Sequence, residues 1–202
     1  MEFGEVVRKR RMVRDYDPGR PVPAAVVDRL LTHATHAPSA GFSQGWGFLV
    51  LDDPADRAAF WAATTPDGRG RGRWIEGMRR APLIVVPHSN RSAYLDRYAE
   101  PDKGWTDRDP ARWPVPYWDV DTGMAALLML LTAVDEGLGA CFFGIPGESV
   151  DRYRKAFDVP AEFNPIGAVT IGYRAPDRLS PSLKRGRRSV DQVVHRGRWS
   201  RD

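Results

Sequence analysis

The sequence predicts a single domain in which helices alternate with short buried strands. Its 202 residues suffice for one domain with a substantial core and are too few for two. A hydrophobic fraction of 42% beside a charged fraction of 28% is that of an ordinary globular protein. Apolar residues at helical spacing alternate along the chain with short β-branched runs. We therefore expect one mixed domain over residues 1–202, without internal repeats or a linker.

Prolines and glycines divide the first half of the chain into candidate elements. Phe3, Val6 and Val7 share one face of a short helix predicted over Glu2–Arg11. A turn-rich stretch follows, and from Val26 apolar residues recur at helical spacing until Pro38. The elements expected next are a strand over Trp46–Leu51, helices over Pro54–Thr64 and Trp74–Arg80, and a buried strand over Pro82–Pro87.

Between residues 88 and 118 no periodic pattern continues. The segment nevertheless holds large aromatic residues among prolines and charges, including Trp105, Trp113, Tyr117 and Trp118. Segments of this length inside a domain usually cover a site or lack order. Because this one is so aromatic, we predict a packed lid over an active site.

The strongest helical pattern runs over Asp119–Gly137, with acidic residues at its start and a glycine at its end. From Ala125 to Val134 it is apolar on nearly every side. Such a helix is buried on more than one face. In a chain of this size a second copy would have to cover it, so we predict a homodimer with this helix in the interface.

The last predicted elements are a strand over Ala140–Ile145, a helix over Glu148–Phe157 and a strand over Ile166–Tyr173. The tail over residues 174–202 has little apolar periodicity and cannot form a core of its own. We expect it to lie on the partner subunit.

Composition argues against several functional classes. The net charge of +4 invites nucleic-acid binding, but the basic clusters are confined to the two ends, so we expect no nucleic-acid partner. The single cysteine, Cys141, excludes an internal disulfide and a cysteine-based zinc site. The apolar run Met124–Val134 is too short for a span and the N-terminal residues are charged, so we predict a cytoplasmic protein with no membrane partner.

The candidate catalytic and metal-ligating groups form no familiar motif. His33 and His36 are three residues apart but lack a third ligand, so no metal site is expected. Asp119 and Asp121 point in different directions on a helix, and we expect one of them to be its N-cap. The reactive group is therefore expected to come from a cofactor.

Three segments together indicate a binding site. The loop from Ala37 to Phe48 is small, polar and rich in turn-forming residues, so it offers hydroxyls and close backbone approach. Basic clusters lie on either side of it in the sequence, at Arg10, Arg11 and Arg14 and at Lys184, Arg185, Arg187 and Arg188. Because arginine forks match phosphate geometry, the set predicts a site for a planar polar ligand that carries a phosphate.

These segments resemble, in order, the motifs of the nitroreductase family. Residues 10–16 (RRMVRDY) are similar to the family's N-terminal RRSxRxF signature, and the loop from Ala37 resembles its APSxxNxQPWxF motif. Residues 136–139 with Phe143 and Gly144 resemble the helix-to-strand segment that meets the flavin. Residues 171–173 and 184–188 match the closing strand and the phosphate-binding tail.

This resemblance implies an α+β fold of three layers, in which helices flank a central mixed, mostly antiparallel sheet. It also implies a homodimer with two active sites at the interface and a C-terminal tail that wraps the partner. The implied cofactor is FMN. NAD(P)H would pass hydride to flavin N5, and a small electron-poor acceptor would then take it, in ping-pong order.

Carried over position by position, the resemblance assigns the site residues. Arg14 would stabilise the anionic reduced flavin, and the backbone of Gly144 would lie near N5, so these two are the catalytic candidates. Arg10 and Arg11 would contact the phosphate or ribityl chain. The other cofactor-binding candidates are Met12, Gln44, Phe143, the tail residues Arg185, Arg187 and Arg188, and, from the other subunit, Pro38, Ser39 and Ala40.

Three positions depart from the family pattern. Met12 stands where a serine is common, Phe42 where an asparagine is common, and Gly45 where a proline is common. Polar contacts to the cofactor should therefore differ, and Phe42 would add an aromatic wall near the substrate.

Several alternatives stay open. The Ser43–Gln44 pair is also similar to the flavin-fragmenting branch that makes 5,6-dimethylbenzimidazole. A deazaflavin would be an alternative to FMN or to the nicotinamide. From another class, the chain would bind flavin without turnover, and a nucleic-acid-binding module is the most distant alternative.

Overall fold

The computed structural model describes residues 1–65, 73–176 and 180–199. Of Arg73 it describes the backbone only. Its centre is a sheet of five strands: β1 (Trp46–Leu51), β2 (Leu83–Asn90), β3 (Gly139–Phe143), β4 (Phe163–Pro165) and β5 (Ala168–Gly172). Their order is β1-β2-β5-β3, and β4 is added by pairing with the end of β2. Every pairing between these five strands is antiparallel.

Helices cover both faces of this sheet. They are α1 (Phe3–Lys9), α2 (Ala24–Thr35), α3 (Pro54–Thr64), α4 (Arg73–Arg79), α5 (Arg91–Ala99), α6 (Tyr117–Asp135) and α7 (Val150–Ala156). Leu83 and Val85 pack with α2 and α6, whereas Ile84 and Val86 pack with α3, α4 and α7. Because side chains alternate along a strand, one β-branched run supplies both cores. The three-layer α+β sandwich is therefore confirmed.

Local chemistry explains where helices begin and end. The Asp53 carboxylate accepts the backbone N–H of Ala55 at 2.7 Å and so caps α3. Gly137 follows α6 with φ +74°, and Leu138 N–H then returns to Ala133 O at 2.7 Å. This left-handed closure suits glycine and turns the chain into β3.

The expectation of no regular structure over residues 88–118 was wrong at its start. Strand β2 continues through Pro87 to Asn90, and α5 follows at once. The Asn90 side chain accepts the N–H of Ala93 at 3.2 Å, an N-cap that the aromatic residues downstream obscured. The short strand β4 was not predicted either, and α6 begins two residues before Asp119.

The aromatic residues of this segment pack on α5. The Tyr98 ring centroid lies 4.9 Å from that of Trp105 and 4.6 Å from that of Trp113, and Trp113 also contacts Trp118 edge to face. The segment is packed, as predicted. Its role as a lid stays a prediction.

Helix α6 is the core helix of the α2 side of the sheet. By length and hydropathy alone its 19 residues would suit a membrane span, but half of that window is buried. Its exposed side carries the apolar residues Val120, Met124 and Leu127. Within this chain, therefore, the helix is covered on the sheet side and uncovered on the other.

Candidate functional site

The N-terminal arginine segment lies along the sheet edge at β3. Met12 forms a parallel bridge with Ala140, and Val13 N–H donates to Ala140 O at 3.0 Å. Arg10, Arg11 and Arg14 are half-buried on this segment. One strand edge thus presents three guanidinium groups close in sequence.

Two buried residues hold the backbone of the segment in place. Tyr16 is fully buried and its hydroxyl donates to Val13 O at 2.8 Å, with Thr170 Oγ1 3.0 Å away. Gly77 on α4 presses against the other side, where a Cβ would lie 2.2 Å from Arg14 O. The position of Arg14 is therefore set by packing that only a glycine at position 77 permits.

Met12 has a structural use in place of the family's serine hydroxyl. Its sulfur accepts the backbone N–H of Phe142 at 3.4 Å, and its side chain packs against both core clusters. Met12 is a flexible filler between the arginine segment and β3. The segment and the strand that ends at Phe143 are thereby joined.

A cavity of about 280 Å³ opens where β3 ends. Phe143 lines it and stacks on Trp61 of α3, with ring centroids 5.6 Å apart and planes 5° apart. Gly144 is exposed, and among the described residues nothing lies within 4 Å of where its Cβ would be. Among the described residues, the cavity is lined by Trp61, Thr64, Thr65, Trp74, Ile75, Phe143, Gly144, Ile145 and Pro146.

This cavity is mostly apolar, with open backbone at one edge. Such a space accepts a flat ring, and the glycine leaves room for it to approach the main chain. Sequence reasoning missed Trp61 and Trp74, because aromatic residues on helices at core spacing usually indicate only a core. The exposed fraction of 51% at Trp74 distinguishes it from such a residue.

The polar loop after α2 is ordered by its own side chains. Ser39 Oγ accepts Gln44 N–H at 3.1 Å, and Ser43 Oγ donates to Ala40 O at 2.7 Å. Pro38 and Gln44 are exposed, and Ser39 and Ala40 are half-buried. The loop lies against α5 and α6, whereas the arginine segment lies along β3.

Gly45 departs from the family's proline for a steric reason. A Cβ at this position would lie 2.6 Å from Tyr94 Cε2 and 2.8 Å from Asn90 O. Proline carries a Cβ, so it would not fit between the loop and the start of α5. In this chain the loop and α5 are thus adapted to each other.

The expectation that Asp119 or Asp121 caps α6 was wrong. The N-cap position is Pro116, which offers no side-chain acceptor. Asp121 is only 3% exposed and its Oδ2 accepts Ala40 N–H and the Tyr94 hydroxyl, both at 2.8 Å. Asp119 accepts the Ser89 hydroxyl at 2.6 Å. Burial and the neighbouring Asp121 raise the pKa of Tyr94, so its phenol stays a donor.

The basic stretch of the tail is exposed in this chain. Arg185 ends a short 3₁₀ turn, Arg187 follows it, and Arg188 donates to Gln192 O at 2.7 Å. Leu183, Val190 and Trp199 in the same tail are more than half exposed. Residues 177–179 and 200–202 of the predicted tail lie outside the described residues.

No metal centre is found in the part of the chain that the structure describes, where no three His, Cys, Asp or Glu side chains are suitably grouped. His33 instead shares a hydrogen bond of 2.8 Å with Thr132 Oγ1.

Comparison with known proteins places this geometry in context. The model of the Nitroreductase family matches residues 7–173. A relative from Methanothermobacter thermautotrophicus, whose name pairs NADH dehydrogenase with NAD(P)H nitroreductase, is 26% identical over 177 residues, covering 87% of this chain and 78% of that protein. An iodotyrosine deiodinase from Haliscomenobacter hydrossis is 25% identical over 212 residues, covering 96% of this chain and 89% of that protein.

A solved structure shares the same fold. It is a nitroreductase from Exiguobacterium sibiricum, determined in complex with FMN, and it superposes with a TM-score of 0.70. The identity is 19%, with 94% of this chain and 98% of that one covered.

Proposed function

This chain belongs to the nitroreductase family, and from that membership we propose that it is an FMN-dependent enzyme. The family and the NAD(P)H nitroreductase name of a relative make the chain an oxidoreductase. The observation that carries the proposal is the family match over residues 7–173, which spans the arginine segment, the polar loop and the end of β3. When bound, FMN would supply the redox chemistry, taking hydride from NAD(P)H and passing it to an acceptor in ping-pong order.

The donor groups of this chain suit FMN. Arg10 and Arg11 offer guanidinium forks for the phosphate, and the exposed tail residues Arg185, Arg187 and Arg188 would complete that site. Arg14 would hold a positive charge against the pyrimidine end of the ring. Phe143 and Gly144 would present backbone to its reactive edge, where the missing Cβ leaves a cradle, and Met12 would lie beneath.

A homodimer would bring the polar loop to this site. The loop packs on α5 and α6 of its own subunit, so Pro38, Ser39, Ala40 and Gln44 would serve the partner's cofactor. The exposed apolar side of α6 and the exposed apolar residues of the tail support such an interface. The tail would then wrap the partner.

We propose a small electron-poor acceptor, such as a quinone or nitroaromatic. The cavity beside Phe143 has room for a single flat ring system, and its walls are aromatic and aliphatic. Phe42 is 75% exposed at the tip of the loop and would add an aromatic wall. The aromatic segment before α6 would act as the lid over this site.

The proposed compartment is the cytoplasm. A reduced nicotinamide donor and the use of a single cysteine, Cys141, both suit a reducing environment. No nucleic-acid or membrane partner belongs to the proposal.

The experiment adds FMN to the purified full chain, removes unbound flavin and records the absorbance spectrum. NADH or NADPH oxidation is then measured with a quinone or a nitroaromatic acceptor. We expect a flavin spectrum and steady turnover. The variant Arg14→Ala should lower kcat about 100-fold, whereas Arg8→Ala, an exposed arginine on α1, should not.

The other outcomes separate the alternatives. Protein that takes up no FMN contradicts the proposal. A flavin spectrum without nicotinamide oxidation favours a binding-only protein. Oxygen consumption with loss of FMN favours the flavin-fragmenting reaction.

A further inference from the structure

A buried carboxylate holds the polar loop from inside its own subunit. Asp121 lies on α6 with 3% exposure, and its Oδ2 accepts the N–H of Ala40 at 2.8 Å. The fully buried Tyr94 on α5 donates its hydroxyl to the same oxygen at 2.8 Å. A buried carboxylate is costly unless it is hydrogen-bonded, so this arrangement stabilises one position of the loop strongly.

An arginine holds the loop from the other side. Arg97 Nε, also on α5, donates to Gly41 O at 2.9 Å. Its two terminal nitrogens both reach the Asp102 carboxylate at 2.7 Å. The bidentate pair orients the guanidinium, and it therefore also orients the Nε–H that donates to the loop.

The loop needs this support because its backbone is strained. Gly41, Phe42 and Gln44 have φ values of +62°, +57° and +49°, and two of the three are not glycine. A Cβ at Gly41 would lie 2.6 Å from Tyr98 of α5. Left-handed non-glycine residues persist only where their surroundings determine them, and they cluster at ligand-binding segments.

We propose that Asp121, Tyr94 and Arg97 are positioning residues, which hold the loop over Ala40–Gln44 in the shape that the cofactor meets. This rests on the proposed function, in which Pro38, Ser39 and Ala40 lie along FMN. The segment over residues 88–118, which is expected to be a lid, would thus have a second role. Through α5 it braces one wall of the site before the ligand arrives, and this lowers the ordering cost of binding.

The test compares two arginines of the same segment. Arg112 also forms a bidentate pair, with Asp107, and it does not donate to the loop. We expect Arg97→Ala to raise the Kd for FMN about five- to tenfold, the effect of one lost hydrogen bond. Arg112→Ala should leave that Kd unchanged. Kd is measured by flavin fluorescence on the full chain, with the Tm of the FMN-free protein recorded for each variant.

A second pair of variants addresses the carboxylate. Asp121→Asn keeps an acceptor for Ala40 N–H, and Tyr94→Phe removes one donor without changing shape, so both retain the packing. In the FMN-free protein, hydrogen exchange at the loop amides should accelerate in Tyr94→Phe and Arg97→Ala and stay unchanged in Arg112→Ala. Asp121→Asn should bind FMN more tightly than Asp121→Ala.

The outcomes separate this inference from the proposed function. If wild-type protein binds no FMN, both fail. If wild-type protein binds FMN and Arg97→Ala and Tyr94→Phe match Arg112→Ala in Kd and in loop exchange, positioning is overturned while FMN binding stands. A fall in Tm with unchanged Kd would assign the three residues to stability alone.

Discussion

At the scale of single residues, His88 shows how burial changes an ionisable group in the sheet. It lies on β2 with 4% exposure, and its Nε2 is 2.9 Å from the Tyr153 hydroxyl. Burial lowers the pKa of His88 from 6.5 to about 4, although backbone hydrogen bonds at Gly47 and Val86 oppose the shift. The neutral ring is thus the form that the fold stabilises.

This predicts acid sensitivity of the folded state. Between pH 6.5 and about 4 the unfolded chain binds a proton at His88 that the folded chain excludes. The contribution of His88 to the free energy of unfolding should therefore be fully present above pH 6.5. Below that pH the free energy of unfolding should fall, by up to about 1.4 kcal/mol per pH unit from this residue. Urea unfolding over this range should show a steeper loss for the wild type than for His88→Gln. Equal slopes would contradict the prediction.

Residue-scale chemistry also explains what could be predicted of the site. Arg10, Arg11 and Arg14 could be predicted as phosphate-binding residues because they are clustered in sequence and guanidinium groups bind phosphate. Asp121 was missed because a carboxylate near a helix start usually caps that helix. Only the packing of α5 shows that it accepts the amide of Ala40 instead.

At the scale of elements, the contact of α4 with the arginine segment sets the position of Arg14. Gly77 allows the helix to approach until a Cβ would lie 2.2 Å from Arg14 O. Arg80 just beyond the helix pairs with Asp15 at 2.6 Å. The helix therefore contacts the main chain at the Arg14 carbonyl and holds the side-chain carboxylate of the residue that follows.

We expect Gly77→Ala to displace this main chain. Overpacking should cost about 1–3 kcal/mol of stability, partly offset by the better helix propensity of alanine. FMN affinity should fall as Arg14 moves. Gly4→Ala in α1 is the control, because its Cβ would meet only the end of the Arg8 side chain at 3.3 Å. Thermal unfolding and flavin titration give the two readouts, and equal behaviour of the variants would refute the prediction.

Four of the five described strands and most helices could be predicted because their patterns are local, whereas the three-residue strand β4 was not predicted. Ile84, Val85 and Val86 form a β-branched run that is buried in any packing of the chain. Helix α5 could not, because its helical pattern is weak and only Tyr94 is buried. Its stability comes from contacts with the loop and with the aromatic residues that follow.

At the scale of the whole molecule, the exposed side of α6 is an apolar surface that the fold leaves uncovered. Val120, Met124 and Leu127 are 37%, 36% and 46% exposed and lie three or four residues apart. They form one stripe along the helix. The sheet covers one side of the helix, which explains why that side is apolar. The proposed dimer would cover the exposed stripe, which explains why the other side is apolar as well.

A charge on this stripe should break the dimer. Leu127→Lys would bury an unpaired ammonium and raise the dimer dissociation constant about 100-fold or more. Ala156→Lys adds the same charge on the exposed end of α7 and should leave the assembly unchanged. Sedimentation velocity over a range of concentrations measures both. A wild-type chain that sediments as a monomer would disprove the dimer.

Local patterns in the sequence were enough to predict most helices and strands, because periodicity decides which residues are buried and prolines and glycines decide where elements end. The motifs keep their order and so identified the family, and the three layers were implied by that resemblance. What holds those motifs in place is visible only in the folded chain. Three contacts join residues that are far apart in the chain. Asp121, Tyr94 and Arg97 hold the polar loop, Gly77 packs against the Arg14 carbonyl, and the Met12 sulfur accepts the N–H of Phe142. Such contacts depend on distances in space, which no local pattern of residues contains.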